Sequence, residues 1–306
     1  MAQHSSNGAH LARNPRSPLY LLAPVPALVA GVLTMRMHDL PAAVWGQNLA
    51  AWVVGTLLCI GIWRPRARSG PSRWARGVAV LTLAALAATL LAPGMDGVHR
   101  WVALGPVRLH AAAILLPPLL VALEGLARLR GGWTSTLVAL GALAFLFLQP
   151  DTAQATAFAA GAGVLLLPRA GRGALPLGCI LAAAAGFTWM RRDPLAPVPH
   201  VEQVVGLAAD LGAGWAVAAV AALLLLPVPF FLAGRSTGSR AGTALGTYLV
   251  ITLLAPFVGT FPVPVMGYGM SPIIGYLAGL GVLLRSAAPP EAVAGDPPSS
   301  AAAAGD

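Results

Sequence analysis

Side chains able to do chemistry are scarce in this sequence, so the few that occur can be weighed one by one. The richest stretch runs from Arg191-Arg192-Asp193-Pro194 to Pro199-His200-Val201-Glu202-Gln203, where acid, base and imidazole stand together. Two adjacent arginines can hold a pyrophosphate. A carboxylate beside a membrane surface can serve as a general base. The same residues also read as a solvated loop with an Arg–Asp pair, and the two readings stand side by side. A second cluster is Gly97-Val98-His99-Arg100-Trp101 through Pro106. It reads first as an interfacial anchor, with Trp at the headgroup level. Its functional version is a cation site for an anionic, membrane-bound substrate. Leu148-Gln149-Pro150-Asp151 is a tight turn between apolar runs. There Asp151 is expected to cap the next helix, where a carboxylate meets the positive end of the dipole, and to set the rim of a cavity. Two more acids fall at membrane depth. Glu124 is expected to pair with Arg128 at i, i+4. Asp210 has no sequence partner and, if held in hydrocarbon, faces the bundle interior. Signatures of soluble enzymes are missing from the sequence: no GxSxG, GxxxxGK[ST], HExxH or CxxC. No metal or cofactor is indicated.

The chain that must position these residues is built for a bilayer. It has 306 residues, 57% hydrophobic and 9% charged, with a mean hydropathy of +0.76. A soluble domain carries about a quarter charged residues. The net charge of +9 comes wholly from arginine. Those arginines sit in short segments between apolar runs, a pattern of membrane orientation rather than nucleic-acid binding. Cys59 and Cys179 fall inside apolar runs and read as small hydrophobes. Ten spans are expected: Leu19–Met35, Val44–Trp63, Ala75–Leu91, Ala111–Ala127, Trp133–Leu148, Thr152–Leu167, Gly173–Trp189, Val204–Ala233, Ala241–Phe257 and Pro272–Leu284. Each is near the ~20 residues that cross a hydrocarbon core. Val204–Ala233 is too long for one span and is expected to begin with an interfacial segment before Leu211. With the N-terminus inside, fourteen arginines fall on inner segments and five on outer ones. Asp39, Asp96, Asp151, Asp193 and Glu202 all fall outside, so any chemistry belongs to the outer face of the inner membrane. Residues 1–18 and 286–306 read as disordered cytoplasmic tails around a single membrane domain, 19–285.

One stretch cannot be a plain helix: Val258 to Arg285, VGTFPVPVMGYGMSPIIGYLAGLGVLLR. Pro262 and Pro264 lack donors and bias Phe261 and Val263 toward extended geometry. Gly267 and Gly269 flank Tyr268 and permit a tight turn. Ser271-Pro272 then opens the last apolar run, with Pro placed where a helix tolerates it. The expected result is an uncharged turn buried against the bundle, walling the outer cavity.

In this order, these segments resemble the SEDS family (shape, elongation, division and sporulation), the group of FtsW, RodA and SpoVE. GVHRWVALGPVRLH at 97–110 is similar to the family's G-x-R-R-W-[IL]-x-L-G-P-x-x-x-Q. LQPD at 148–151 matches its Q-P-D turn. Asp193-Pro194 looks like its D-P dipeptide, and TFPVPVMGYGMS at 260–271 is similar to its G-L-P-L-P-F-I-S-Y-G-G-S. The resemblance covers roughly residues 15–285 and implies an all-α bundle of about ten transmembrane helices with both termini cytoplasmic. It further implies a peptidoglycan glycosyltransferase of cell division or cell shape, polymerising lipid II beside a class B penicillin-binding protein. In that chemistry a carboxylate takes the proton of the attacking sugar hydroxyl and cations stabilise the departing lipid pyrophosphate. Carried over by position, Glu202 stands at the family's proposed catalytic aspartate. A rival alignment begins at Asp193 and puts His200 and Gln203 at glutamine positions. Catalytic candidates are therefore Glu202 and Asp193. Substrate-binding candidates are Arg100, Trp101, Arg191, Arg192, His200, Asp151 and Tyr268. The departures are equally specific. Ala113 and Leu116 replace a family Glu and Lys, His99 replaces an arginine, and the large outer loop is a short connector. They imply an alternative: a catalytically degenerate relative that binds a polyprenyl-linked precursor or a cell-envelope partner without turnover. A lipid-linked-sugar translocase has only Asp210 and Glu124 to build a polar path.

Overall fold

In hydrocarbon a backbone must satisfy its own N–H and C=O groups, so long apolar runs become helices. The computed structural model describes residues 18–64, 71–105, 107–129, 132–191 and 193–286. A 3-10 turn at Pro18–Leu22 leads into α1 (Val25–Met37), α2 (Ala42–Trp63) and α3 (Pro71–Leu91). Two short strands, β1 (Trp101–Leu104) and β2 (Val107–His110), precede α4 (Ala111–Ala127), α5 (Trp133–Leu148), α6 (Thr152–Leu166) and α7 (Ala174–Trp189). Next come the small helices α8 (Pro199–Glu202) and α9 (Val204–Asp210), then α10 (Ala213–Leu224) and α11 (Val228–Thr237). The chain finishes with α12 (Arg240–Leu254) and α13 (Met270–Ser286). Six helical segments are long and apolar enough to cross a membrane, α4, α5 and α13 are shorter apolar helices, and α6 completes ten passes. Each expected span meets one of them. The tail readings lie, apart from Pro18 and Ser286, outside the described residues.

The run Val204–Ala233 breaks as its length requires. The short α9 ends at Asp210, Gly212 takes a φ of +131°, and the crossing helix starts at Ala213. Asp210 is exposed at the end of α9, outside the bundle interior. A second bend separates α10 from α11, because Pro227 and Pro229 cannot continue the upstream hydrogen-bond ladder. The Tyr276 hydroxyl donates to the Leu226 carbonyl at 3.0 Å and satisfies an acceptor that the bend releases.

Hydrophobic residues line the outside as well as the core. Leu57, Val80, Phe187 and Val217 are all more than half exposed, which suits contact with lipid rather than water. The most enclosed helix is α4, with Leu116, Leu119, Leu120 and Leu123 fully buried. The last helix, α13, packs chiefly on α2 and α4. Gly275 makes this possible: a Cβ there would overlap the carbonyl oxygen of Ala113.

Glu124 does more than its sequence spacing suggests. It accepts from the Ser239 hydroxyl at 2.6 Å and from the Ala241 N–H at 3.1 Å, so a carboxylate of α4 caps the start of α12. Arg128 at 3.5 Å and Arg169 at 3.6 Å complete the cluster. This polar junction lies at the end of α4 remote from His110.

Candidate functional site

The stretch after α3 folds as a β-hairpin. Trp101 pairs with His110 and Leu104 with Val107, around a turn where Gly105 has a φ of +61°. The strands are four residues each, too short for alternation to stand out in a sequence read for helices. The hairpin delivers Arg100 and Trp101 to the N-terminal end of α4.

Arg100 is nearly fully buried and fully engaged. Its guanidinium pairs with Asp193 at 2.7 Å and donates to the carbonyls of Gln149 and Pro150. Gln149 is itself anchored, its amide donating to Leu86 O at 3.0 Å and to the Thr89 hydroxyl at 2.6 Å. The Gln-Pro-Asp turn is thus a socket for the arginine. Asp193 also accepts from the Leu195 N–H at 3.1 Å, an Asx turn that fixes the start of the connector.

Beside Arg100, Asp151 fulfils its expected role at the N-cap of α6, with Oδ1 accepting from the Gln154 N–H at 3.4 Å. Its other oxygen meets His110 Nε2 at 3.2 Å. His110 caps α4 in turn, Nδ1 accepting from the Ala113 N–H at 3.2 Å, while its own N–H donates to the buried Ser271 hydroxyl at 2.8 Å. The Trp101 and His110 rings meet edge-on at 5.7 Å. Together these residues face a cavity of about 70 Å³, which Gln154, Tyr248 and the Pro262–Pro264 turn also line.

The Pro/Gly stretch forms the wall expected of it. Val263, Val265 and Met266 are buried. Its backbone binds the connector: Val263 N–H donates to Val201 O at 3.0 Å and Tyr268 N–H to His200 O at 2.8 Å. The Tyr268 hydroxyl reaches Gln47 Oε1 at 3.3 Å. Fully buried Asn48 of α2 closes the clip, donating to Gly267 O at 2.9 Å and accepting from Gly269 N–H at 3.1 Å.

Glu202 lies at the end of α8, half-buried, with Oε2 accepting from the Val198 N–H at 2.6 Å. Burial pushes its carboxyl above the ordinary glutamate range, the Val198 and Glu202 N–H groups oppose this, and the Asp193 carboxylate adds to the rise. His200, edge-on to Tyr268 at 5.6 Å, is lowered by burial.

Of the predicted site residues, Arg100, Trp101 and Asp151 line the cavity. Asp193 reaches it through Arg100, and Glu202, His200 and Tyr268 lie along the connector and the clip. Arg191 is exposed and turns to the end of α5, donating to Phe147 O at 2.9 Å and stacking on the Phe147 ring at 5.5 Å. A cation there complements the negative helix end. Arg192 lies outside the described residues. Sequence reading missed His110, Gln149, Gln154, Tyr248 and Asn48. Their signal was a polar side chain within or at the edge of an apolar helix, a residue that a bilayer tolerates when partnered. Among the described residues no group of His, Cys, Asp and Glu could hold a metal.

This architecture is a helical, multi-pass membrane fold with a largely apolar cavity, holding a few polar groups, walled by a hairpin and a Pro/Gly turn. Its fold is RodA-like. The rod shape determining protein RodA of Thermus thermophilus has a TM-score of 0.66 at 20% identity, over 88% of this chain and 95% of that one. A RodA variant with one aspartate replaced by alanine has a TM-score of 0.66 at 19% identity, over 88% and 96%. A chain of a peptidoglycan synthase complex that coordinates polymerization and crosslinking has a TM-score of 0.61 at 20% identity, over 88% and 96%. At the sequence level no family model and no curated protein matches.

Proposed function

We propose that this protein is a divergent SEDS glycosyltransferase that polymerises lipid II at the outer face of the bacterial inner membrane, beside a class B penicillin-binding protein. The observation that carries the reading is the RodA-like fold along 88% of the chain, with Arg100, His110 and Asp151 beside a cavity. Glu202 is the base. Its carboxyl holds a proton more readily than an ordinary glutamate, which suits removal of a proton from a sugar hydroxyl near neutral pH. Trp101, His200 and Tyr268 contribute to the sugar and lipid surface, and Asp193 holds Arg100 at the cavity.

Purified protein supplied with lipid II and a cognate penicillin-binding protein is expected to make glycan strands, resolved on a gel, and Glu202→Ala is expected to abolish them. Strands that persist in Glu202→Ala remove the base assignment. A second reading, precursor binding without turnover, is favoured by the engagement of the cations. Arg100 is tied to Asp193 at 2.7 Å and Arg191 to the end of α5, so neither is free to meet a leaving pyrophosphate. Retained lipid II binding with no strands beside any partner selects that reading.

A further inference from the structure

The side-chain amide of Gln154 is held at one end and open at the other. Gln154 stands in the first turn of α6, where its backbone N–H serves the Asp151 cap. The Tyr248 hydroxyl of α12 donates to its Oε1. Tyr248 is almost fully buried, and a buried hydroxyl must place its proton. Gln154 Oε1 is the acceptor it has, so the amide oxygen is turned to the tyrosine. The two helices hold the pair firmly: a Cβ on Gly161 of α6 would lie 3.0 Å from the Ala244 carbonyl oxygen of α12. Ala244 is about one turn from Tyr248, and Gly161 about two turns from Gln154. With Oε1 engaged, both N–H groups of Nε2 remain. Nε2 has no hydrogen-bond partner among the described residues, and it is not one of the buried atoms left without a partner. It therefore keeps accessible surface, on a residue that lines the cavity.

The rest of the wall decides what such a donor can bind. Arg100 is matched by Asp193 at 2.7 Å, and the His110 ring stands 3.2 Å from the Asp151 carboxylate. A pyrophosphate finds no unpaired cation among the described residues of this wall, and a neutral acceptor needs none. Pro117, Leu249, Phe261 and Pro262 make much of the lining apolar. The cavity holds about 70 Å³, against ~10–15 Å³ for one water, so it admits a small group rather than a sugar ring. An acetamido group meets all three conditions. It is neutral, its carbonyl oxygen is a strong acceptor, and its methyl suits the prolines.

We propose that Gln154 is a specificity-determining residue, whose Nε2–H donates to an acetamido carbonyl of the lipid-linked sugar. Tyr248 is the positioning residue that turns the amide so that its nitrogen faces the cavity. The ligand's identity rests on the function proposed above.

The test uses the full chain in nanodiscs, with thermal unfolding as the control of folding. Three fluorescent probes are compared: lipid II, an analogue with hydroxyls in place of its acetamido groups and the stem peptide kept, and a polyprenyl pyrophosphate without sugar. The parent is expected to prefer lipid II over the analogue by about tenfold, the weight of one such hydrogen bond. Gln154→Met keeps the shape and removes the donor. It is expected to bind lipid II about tenfold more weakly, to keep the other two probes within about threefold, and so to erase the preference. Tyr248→Phe is expected to cut the preference to about threefold or less, a ratio that a general loss of stability does not move. Gln154→Met with Tyr248→Phe removes both partners together, which costs little in stability, and is expected to bind as Gln154→Met does. A folded single or double variant that keeps the parent's preference overturns the proposal. An equal loss toward polyprenyl pyrophosphate puts the donor on the pyrophosphate and overturns it too. A parent that binds lipid II and the analogue alike, with Gln154→Met weak toward both, moves the contact to the stem peptide and overturns the acetamido assignment. Parent protein that binds none of the probes defeats the function proposed above and the ligand assignment with it, whereas lipid II binding that ignores Gln154 defeats this proposal alone.

Discussion

Asn48→Ala is the sharpest perturbation the clip allows. The side chain is fully buried and uses both ends of its amide on one turn, donating to Gly267 O at 2.9 Å and accepting from Gly269 N–H at 3.1 Å. Alanine strands a half-buried donor and a buried acceptor. Each such loss costs about 1–3 kcal/mol. Taking about 1.4 kcal/mol apiece, near the low end because the turn can open to water, each contributes a tenfold change in a local equilibrium. Opening of the turn should therefore become about a hundredfold more frequent. Hydrogen–deuterium exchange of purified protein reads this directly. Peptides covering 258–270 are expected to exchange faster by that order. The effect should spread to 198–203, because Val263 and Tyr268 hold Val201 and His200 through backbone bonds. Asn48→Asp keeps the acceptor for Gly269 and loses the donor to Gly267, so it should fall between parent and alanine. Unchanged exchange at 258–270 in a folded Asn48→Ala would refute the clip. Fast exchange confined to that turn, with 198–203 unaltered, would refute its coupling to Glu202.

Arg100→Ala should destabilise by about 3–5 kcal/mol, because it leaves a carboxylate without its buried partner. A double-mutant cycle with Asp193→Asn should return a coupling of about 1–3 kcal/mol in unfolding measurements, and a zero coupling would show the 2.7 Å pair to be inert. Gly275→Val should lower stability by about 1–3 kcal/mol or more, since the added side chain drives α13 off the Ala113 carbonyl; an unchanged melting temperature contradicts the close packing. In the proposed polymerisation Glu202 acts as the carboxylate. Burial and Asp193 raise its pKa, so activity is lost on acidification already above the ordinary glutamate range. Asp193→Asn removes one of those causes and should move that acidic limb of the pH–rate profile downward. A limb at the ordinary glutamate range, unmoved by Asp193→Asn, assigns the base elsewhere.

Hydropathy alone determined the passes of this chain, because ~20 apolar residues have few ways to satisfy their backbone except as a membrane helix. The break before Leu211 followed from length, and the irregular turn at Val258–Gly269 from two prolines and two glycines that no helix accommodates. Asp151 as a helix cap was legible from its place between spans. What each remaining polar residue does was decided by contacts across long sequence separations. Arg191, a candidate pyrophosphate ligand by sequence, donates to the carbonyl of Phe147 at the end of α5. Glu124 looked like a local helix pair and caps α12 from 115 positions away. His110 carried no assignment in the sequence, and the packing of the hairpin on α4 and α13 sets its ring between the Ala113 N–H and Asp151. Local pattern carries backbone geometry, because that is set by near neighbours. The partner of a buried polar group is whichever element the fold brings within 3 Å, and only the tertiary structure supplies it.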